Sequence, residues 1–260
     1  MDQTRNLREI EGLNQRGGRI LTVVDLIEAG TLSPELAAYL LCAISGGASF
    51  LTASLPGNAG KTTVLANLLT FLPGDSVVRT VASPADLEET PNPPSAGRVC
   101  WLLHEIGDAS IYSYLWGRDA VRFLGLPGAG QTVASCLHAD TLPQMRDALL
   151  GRLGLPEGAF SRLGLLVFIH YRETPLGAVR RVSAVYESRG EEEHRLVFEW
   201  DPGLDQHLRR GESLLPGCRP ERLAWGAQVI EGALGRNLRQ IDQVRDLVVR
   251  SLGPAEVLSS

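Results

Sequence analysis

Short apolar segments alternate with segments of helical periodicity along most of the chain. Strands are predicted at residues 49–53, 77–81, 99–103, 132–137, 164–171, 180–187 and 194–200. Two of them, 99–103 and 132–137, have the apolar character of strands buried on both faces of a parallel sheet. Their alternation with helices predicts an α/β fold in which a sheet lies between two helical layers.

Helix signals divide the chain further. The segment 33–45 begins with Ser33, a capping residue, and Pro34, which suits the first helical position, before apolar residues at helical spacing. A second helix is predicted from residue 60 to about residue 71, where a Pro-Gly pair stops it. The segment 219–252 also has helical spacing. The predicted organisation is a lead-in segment (1–32), a core (33–210) and a C-terminal helical appendage (211–260).

The segment 54–63, Ser-Leu-Pro-Gly-Asn-Ala-Gly-Lys-Thr-Thr, connects the first predicted strand to the second helix. In a phosphate-binding loop, consecutive backbone N–H groups and a helix N-terminus bind the phosphates, while a lysine adds charge and a hydroxyl holds Mg²⁺. Lys61 and Thr62 occupy the positions for the last two roles. The predicted nucleotide-binding residues are Gly57, Asn58, Ala59, Gly60, Lys61, Thr62 and Thr63, with Thr62 as the magnesium ligand.

This loop departs from the usual pattern G-x-x-x-x-G-K-[ST] at its first glycine. That position, six residues before Lys61, is Leu55. A left-handed backbone at a leucine would cost about 1–2 kcal/mol, so a turn at Gly57 is the alternative. Lys61 is also the only lysine of the chain, since every other residue counted with it as basic is arginine. A Gly-Lys-Thr sequence that arose by chance is therefore a less convincing explanation of this segment.

Two titratable residues follow predicted strands directly. Glu105 comes after the strand 99–103, and His138 after the strand 132–137. Ligands of open α/β sheets bind beyond the carboxyl ends of the strands, and a nucleotide hydrolase needs an acid that orders magnesium or the attacking water. Glu105 fits that need and is a candidate catalytic residue. Taken alone, Glu105 is equally a solvated loop carboxylate, and a lone histidine such as His138 is more often structural than catalytic.

Composition narrows the function classes. The chain has 260 residues, of which 44% are hydrophobic, which suffices for a buried core. A formal net charge of -5 without a Lys/Arg cluster disfavours a broad nucleic-acid surface. The 4 cysteines form no C-x-x-C pair, which favours a reduced, cytoplasmic compartment without structural zinc. No apolar run is long enough to span a membrane and the N-terminus is polar, so we expect membrane association only through partners.

The order of motifs resembles the secretion ATPase superfamily, which comprises the type II and type IV secretion, type IV pilus and tight-adherence pilus ATPases. The resemblance rests on the run 21–35, the loop 54–63, His104-Glu105-Ile106-Gly107-Asp108-Ala109 and Ser135-Cys136-Leu137-His138-Ala139-Asp140, and it extends over roughly residues 20–250. The tight-adherence pilus and type IV secretion branch is the most similar. The resemblance implies a RecA-like P-loop core, a hexameric ring and hydrolysis of ATP with Mg²⁺.

It also implies a place and partners. Proteins of this kind power pilus assembly or protein secretion, so the expected partners are a full-length motor or further copies of the chain, and a platform protein of the inner membrane. The expected location is the cytoplasm, or the periphery of that membrane.

Several positions match the family and others do not. Gly60, Lys61 and Thr62 match the end of the Walker A motif, Glu105 the Walker B glutamate and His138 the second histidine of the histidine box. In the loop, Leu55 replaces the first glycine, and Asn58-Ala59 replaces Gly-Ser. Ala82-Ser83 stands in place of the acidic box, and Gln131 replaces the first box histidine. Around the Walker B glutamate, His104 and Gly107 replace a glycine and an arginine. The arginine-bearing helix before Walker B is expected to shrink to the passage 89–97, and the N-terminal domain of the family to be missing.

These departures leave more than one function open. The first hypothesis is an ATP-hydrolysing motor subunit, with Glu105 ordering water or metal and His138 contacting the γ-phosphate. The second is a catalytically degenerate nucleotide-binding or scaffold subunit of the same machine, and the third is a different P-loop NTPase. The remaining arginines, including Arg79, Arg98, Arg118 and Arg122, are candidates to replace the missing ones, although each of them taken singly is more often a solvated or structural residue.

Overall fold

The computed structural model describes residues 3–14, 17–88, 97–175 and 177–252. The α-helices are α1 (Gln3–Glu11), α2 (Val23–Glu28), α3 (Pro34–Ser45), α4 (Lys61–Leu69), α5 (Gly117–Leu124), α6 (Leu142–Arg146), α7 (Glu157–Ser161), α8 (Pro220–Gly235) and α9 (Ile241–Ser251). The strands are β1 (Phe50–Ala53), β2 (Ser76–Thr80), β3 (Arg98–Leu102), β4 (Glu105–Ile106), β5 (Tyr114–Leu115), β6 (Gln131–Leu137), β7 (Leu165–Thr174), β8 (Gly177–Glu187), β9 (Arg195–Asp201) and β10 (Gln206–Arg209).

The described strands form one mixed sheet. Its order is β10-β9-β8-β7-β1-β6-β3-β2, with β4 and β5 attached beside β6. The neighbours from β2 to β7 run parallel, whereas β8, β9 and β10 add an antiparallel flank. All seven strands predicted from the sequence are present, with bounds that differ by a few residues.

The register brings the carboxyl ends of the central strands together. The last residue of β1, Ala53, lies opposite Leu137 at the end of β6. Beyond β3 the chain continues into β4, where Ile106 also lies opposite Leu137. The residues that directly follow these strands therefore share one edge of the sheet, as predicted for Glu105 and His138.

Alternate strand residues face two separate hydrophobic clusters. Phe50 lies in a cluster with residues of α3, α4, α8 and α9, and the next residue, Leu51, lies in a cluster with residues of α5, α6 and α7. Helices therefore cover both faces of the sheet. The model is thus a mixed α/β structure built around a central sheet.

Helix α3 begins and is packed as its sequence predicts. The Ser33 hydroxyl accepts a hydrogen bond from the Leu36 amide at 3.2 Å, and Pro34 takes the first helical position. Helix α8, from the predicted C-terminal appendage, crosses α3 so closely that a Cβ at Gly226 would lie 2.6 Å from Cys42 Sγ and 2.9 Å from the Ala38 carbonyl oxygen. Only glycine permits that approach.

We expect Gly226→Ala to destabilise the protein by about 1–3 kcal/mol, because the added methyl group collides with backbone that cannot yield locally. The matched control is Gly232→Ala in the same helix, where the nearest atom to a new Cβ is Leu247 Cδ2 at 3.9 Å. That control should gain about 0.5–1 kcal/mol, the usual benefit of alanine over glycine in a helix. Urea unfolding measures both, and equal stability of the two variants would contradict the close-packing argument.

Several elements were not predicted from the sequence. They are the helices α1, α2, α5, α6 and α7 and the short strands β4, β5 and β10. The buried side chain of Asn6 joins helix α1 to the edge strand β2, since Asn6 Nδ2 donates to the Ser76 carbonyl at 2.7 Å and Asn6 Oδ1 accepts from the Val78 amide at 2.9 Å. Of the predicted proline-rich passage 89–97, residues 89–96 lie outside the described residues. Among the helices that the structure describes, none combines the length and the apolar composition needed to cross a membrane.

Candidate functional site

The β1–α4 loop, residues 54–60, turns at residues that tolerate a left-handed backbone. Positive φ angles occur at Asn58 (65°) and at Gly60 (94°), the N-cap of α4, but not at Leu55 or Gly57. Asparagine is one of the few residues besides glycine that adopt this conformation readily. The strain considered for Leu55 therefore does not arise. The chain turns at Gly57 and Asn58, as the alternative expected, and the left-handed conformation falls on Asn58.

The start of the loop is fixed by residues that follow β6. The Leu55 amide donates to Asp140 Oδ1 at 2.7 Å, and the Ser54 hydroxyl donates to the same atom at 3.3 Å. The Leu55 carbonyl accepts from His138 Nδ1 at 2.9 Å. Asp140 belongs to the motif identified in the sequence but was given no role there. Its position shows that it holds the loop in place.

Lys61 is buried at the first position of α4 and is only 7% exposed. Its Nζ donates to the Ser54 carbonyl at 3.2 Å and lies 3.3 Å from His138 Nδ1. Because the Leu55 carbonyl can only accept, the hydrogen of His138 Nδ1 points to that oxygen and the contact with Lys61 is not a second hydrogen bond. Lys61 Nζ is 4.0 Å from Glu105 Oε1. The single lysine thus lies beside both predicted catalytic residues.

Glu105 lies on β4 and is 7% exposed. Its Oε1 is 2.5 Å from His138 Nε2, an ion-pair distance. Oε1 nevertheless accepts no hydrogen bond from the described residues. A buried carboxylate oxygen without a donor at the wall of a cavity is suited to accept from a water molecule or a bound ligand.

Tyr114 was missed in the sequence and contacts Glu105 from the neighbouring strand. The pairing of β5 with β4 places Tyr114 opposite Glu105, and the Tyr114 hydroxyl donates to Glu105 Oε2 at 3.2 Å. Burial and the Glu105 charge raise the pKa of Tyr114 to about 12, so the hydroxyl keeps its proton at neutral pH. At Gly107, where the family has arginine, a Cβ would lie 3.5 Å from the Tyr114 ring.

A cavity of about 620 Å³ opens in front of these residues. All the predicted binding residues from Gly57 to Thr63 border it, together with Glu105 and His138. Its volume lies within the range of small-molecule sites. The structure therefore brings the whole predicted set to one cavity, although the role of each residue remains a prediction.

The lead-in segment forms another part of this cavity. Leu13, Ile20 and Leu21 border it, as does Arg19. Arg19 donates to both oxygens of Asp25, at 2.6 and 2.9 Å. Burial alone would raise the pKa of Asp25, but hydrogen bonds, that from Arg19 first, outweigh burial and hold this pKa well below its ordinary value. Asp25 therefore stays charged and keeps Arg19 in position.

Of the other departures from the pattern of the family that the sequence resembles, His104 borders the cavity, whereas Ala82-Ser83 and Gln131 lie away from it. Asp86, close to Ala82-Ser83, accepts from both of those amides, at 3.0 and 2.8 Å, and so caps a short 3-10 turn. Gln131 begins β6 and accepts from Trp101 Nε1 at 2.8 Å, at the opposite end of that strand from His138.

The four arginines considered as replacements also lie elsewhere. Arg79 stacks on Trp101, Arg98 pairs with Asp75, and Arg122 pairs with Asp119. Arg118 is near the start of α5. None of the four borders the cavity in the described part of the chain, which Arg19 and Arg180 border instead.

The residues of the site suit Mg²⁺ only when it binds together with a phosphate ligand. The described residues contain no group of three or more His, Cys, Asp or Glu side chains that could hold a metal by themselves. Mg²⁺ bound with phosphates usually takes one or two protein ligands and keeps several waters. Thr62, a hydroxyl residue that borders the cavity, and Glu105 Oε1, which accepts no hydrogen bond from the described residues, satisfy that smaller requirement.

Comparisons with known proteins give weak similarities. No family model matches the chain. An uncharacterized protein of Methanocaldococcus jannaschii, MJ0900, is 26% identical over 274 residues, which cover 88% of this chain and 48% of that protein, so the chain spans about half the length of this relative. Among solved structures, the VirB11 ATPase of the Brucella suis type IV secretion system, in complex with sulphate, is similar with a TM-score of 0.44 and 21% identity over 62% of this chain and 53% of that one. These similarities are too weak to assign a family, so the functional argument rests on the residues of the site.

Proposed function

We propose that the chain is an ATP-binding subunit with a RecA-like P-loop core that hydrolyses ATP to ADP and phosphate, as the secretion and pilus-assembly ATPases that its motifs resemble do. One observation carries the proposal. Lys61, Glu105 and His138, separated by many residues in the sequence, meet within 4.0 Å of one another at the β1–α4 loop. A lysine, a carboxylate and an imidazole beside a helix N-terminus are the groups that phosphoryl transfer requires.

Each residue has a part in this proposal. The N–H groups at the start of α4 and the Lys61 ammonium bind the phosphate chain, because both carry positive charge and belong to residues that border the cavity. The Thr62 hydroxyl holds Mg²⁺, which would neutralise charge on the phosphates when bound. Glu105 Oε1 orients the attacking water, held in direction by the Tyr114 hydroxyl on Oε2. His138 contacts the terminal phosphate from beside Lys61.

A second function, nucleotide binding without hydrolysis, is favoured by a specific observation. The positions that carry the acidic box and the first box histidine in the family hold Ala82, Ser83 and Gln131, and the nearby Asp86 is used as a cap. Losing groups that stabilise the transition state costs turnover more than ground-state affinity. A scaffold subunit that binds ATP is the result expected if those losses are not compensated.

The assembly is part of the proposal as well. By the same resemblance, the chain forms a hexameric ring or joins a full-length motor, and docks on a platform protein at the inner membrane. It would act from the cytoplasm or the membrane periphery. Gel filtration with light scattering, with and without ATP, tests ring formation directly.

Calorimetric titration with Mg-ATP, combined with a phosphate-release assay, tests the proposed function. We expect ATP binding by the natural chain and a loss of at least about tenfold in affinity for Lys61→Met, which keeps the buried volume and removes the charge. The control is Arg172→Gln, which removes one charge from an exposed residue of β7.

Three results separate the hypotheses. Turnover that depends on Lys61 supports the motor. Binding that depends on Lys61 without any turnover, alone or with partners, supports the scaffold subunit. If the natural chain binds neither ATP nor ADP, both nucleotide hypotheses are wrong.

A further inference from the structure

Arg180 reaches the β1–α4 loop from the β7–β8 hairpin. It lies on β8 opposite Tyr171 of β7, and its guanidinium carbon is over the Tyr171 ring, 5.0 Å from the ring centroid. Its Nε and Nη2 both donate to the Asn58 carbonyl, at 3.2 and 3.0 Å. An arginine stacked on an aromatic ring is restricted in direction. The side chain is therefore oriented by the ring and by the loop together.

The same side chain passes beside the N-terminus of α4. A Cβ at Gly60, the N-cap of that helix, would lie 3.2 Å from Arg180 Cδ. The first N–H groups of a helix have no partner within it and attract anions. Arg180 thus places a full positive charge next to the backbone groups that face the phosphate chain in the proposed function.

Charge compensation distinguishes Arg180 from the other cations of the cavity. The described residues that border the cavity include Arg19, Lys61 and Arg180 as cationic side chains. Arg19 forms a two-fold contact with Asp25, and Lys61 faces Glu105. Arg180 donates to a backbone carbonyl and, in the part of the chain that the structure describes, forms no ion pair with a carboxylate. The adjacent Arg181, by contrast, pairs with Asp205 at 2.7 Å.

We propose that Arg180 is a second phosphate-binding side chain, besides Lys61, for the nucleotide of this site. The inference rests on the proposed function, since it names a further contact of the same ligand. A triphosphate brings several negative charges to a cavity in which the charge of Lys61 is already shared with Glu105. A guanidinium matches phosphate oxygens in a fixed, two-pronged geometry. Arg180 can keep the Asn58 carbonyl with Nε and Nη2 and bind phosphate oxygens with its remaining N–H groups.

Tripolyphosphate is the probe that isolates this contact, because it has the phosphate chain without ribose or base. We expect Arg180→Gln to weaken binding of both tripolyphosphate and ATP by about ten- to a hundredfold. The dissociation constant of the variant should also depend less on salt than that of the natural chain, since one charge contact is gone. The matched control is Arg172→Gln in the same hairpin, an exposed position that does not border the cavity among the described residues. It should bind both probes within about twofold of the natural chain.

Two results would overturn the inference. One is Arg180→Gln binding tripolyphosphate and ATP as tightly as the Arg172→Gln control. The other is weaker binding accompanied by a fall of more than about 4 °C in the unfolding midpoint of the ligand-free variant, which would mean that Arg180 only shapes the loop. In both cases binding by the natural chain and its dependence on Lys61 would stand, so the proposed function would survive. If the natural chain itself binds neither probe, the proposed function is wrong.

Discussion

Replacing Glu105 with glutamine should lower the rate of ATP hydrolysis by about 10²–10⁴-fold while ATP still binds. Glutamine keeps the volume of the side chain and an oxygen that can accept from the Tyr114 hydroxyl, which now donates to Oε2 at 3.2 Å. It removes the negative charge of Glu105 Oε1, which accepts no hydrogen bond from the described residues. Phosphoryl transfer depends on positioning and electrostatics, so this one charge should matter for turnover. Steady-state phosphate release and ATP titration measure the two effects separately.

The control for Glu105 is the same chemical change at an exposed carboxylate. Glu199→Gln on β9 removes the acid that pairs with Arg210 at 2.9 Å, where both side chains are nearly half exposed. Its rate and affinity should equal those of the natural chain. If the rate of ATP hydrolysis by Glu105→Gln lies within about threefold of the rate of that control, the attacking water is oriented by another group. A tenfold loss of ATP affinity in Glu105→Gln would instead indicate a role in ground-state binding.

The meeting of Lys61, Glu105 and His138 could be predicted from the sequence because Glu105 and His138 directly follow predicted strands, and Lys61 ends the loop that follows another. Such strands have a local signal, a short apolar run. The parallel arrangement then supplies the long-range part, since the carboxyl ends of parallel strands lie at one edge. The structure adds the register, which places Ile106 of β4 opposite Leu137 and so sets the contact of Glu105 with His138.

Other residues of the site have no local signal. Tyr114 meets Glu105 through strands of only 2 residues each, too short for any periodicity. Asp140 accepts from the amide of Leu55, 85 residues earlier in the chain, and Arg180 donates to the carbonyl of Asn58, 122 residues earlier. These contacts arise from tertiary packing between distant segments. A sequence pattern can place such residues on an element, but it does not show which loop they reach.

The Leu55 departure shows how packing can replace a glycine. The sequence alone suggested a strained turn at Leu55 or a turn at Gly57. In the structure, Asp140 and His138 hold the Leu55 amide and carbonyl, and the left-handed conformation falls on Asn58. Leucine is therefore compatible with a phosphate-binding loop here, because the residue that needs the unusual backbone is one that adopts it. The exposed Leu55 side chain is not an argument against nucleotide binding.

Arg245→Met should destabilise the protein by about 3–5 kcal/mol, because it leaves several buried carbonyl groups without a donor. Arg245 of α9 is 2% exposed. It donates to the carbonyls of Thr70 at 3.2 Å, Pro73 at 2.8 Å and Leu72, and its Nε donates to Gln3 Oε1 at 3.1 Å. Burial lowers the pKa of Arg245 to about 10, so the guanidinium is still charged at neutral pH.

The carbonyls that Arg245 satisfies follow α4, the helix whose first residue is Lys61. A cation at the C-terminal end of a helix is favourable both for the free carbonyls and for the helix dipole. The predicted C-terminal appendage therefore fixes one end of the helix that carries the site at its other end. Arg250→Met on the same α9 is the control, since that side chain is 82% exposed and its loss should cost less than about 0.5 kcal/mol. Urea unfolding of the two variants decides the matter: if Arg245→Met lies within about 1 kcal/mol of Arg250→Met, water reaches those carbonyls and α9 does not stabilise α4 in this way.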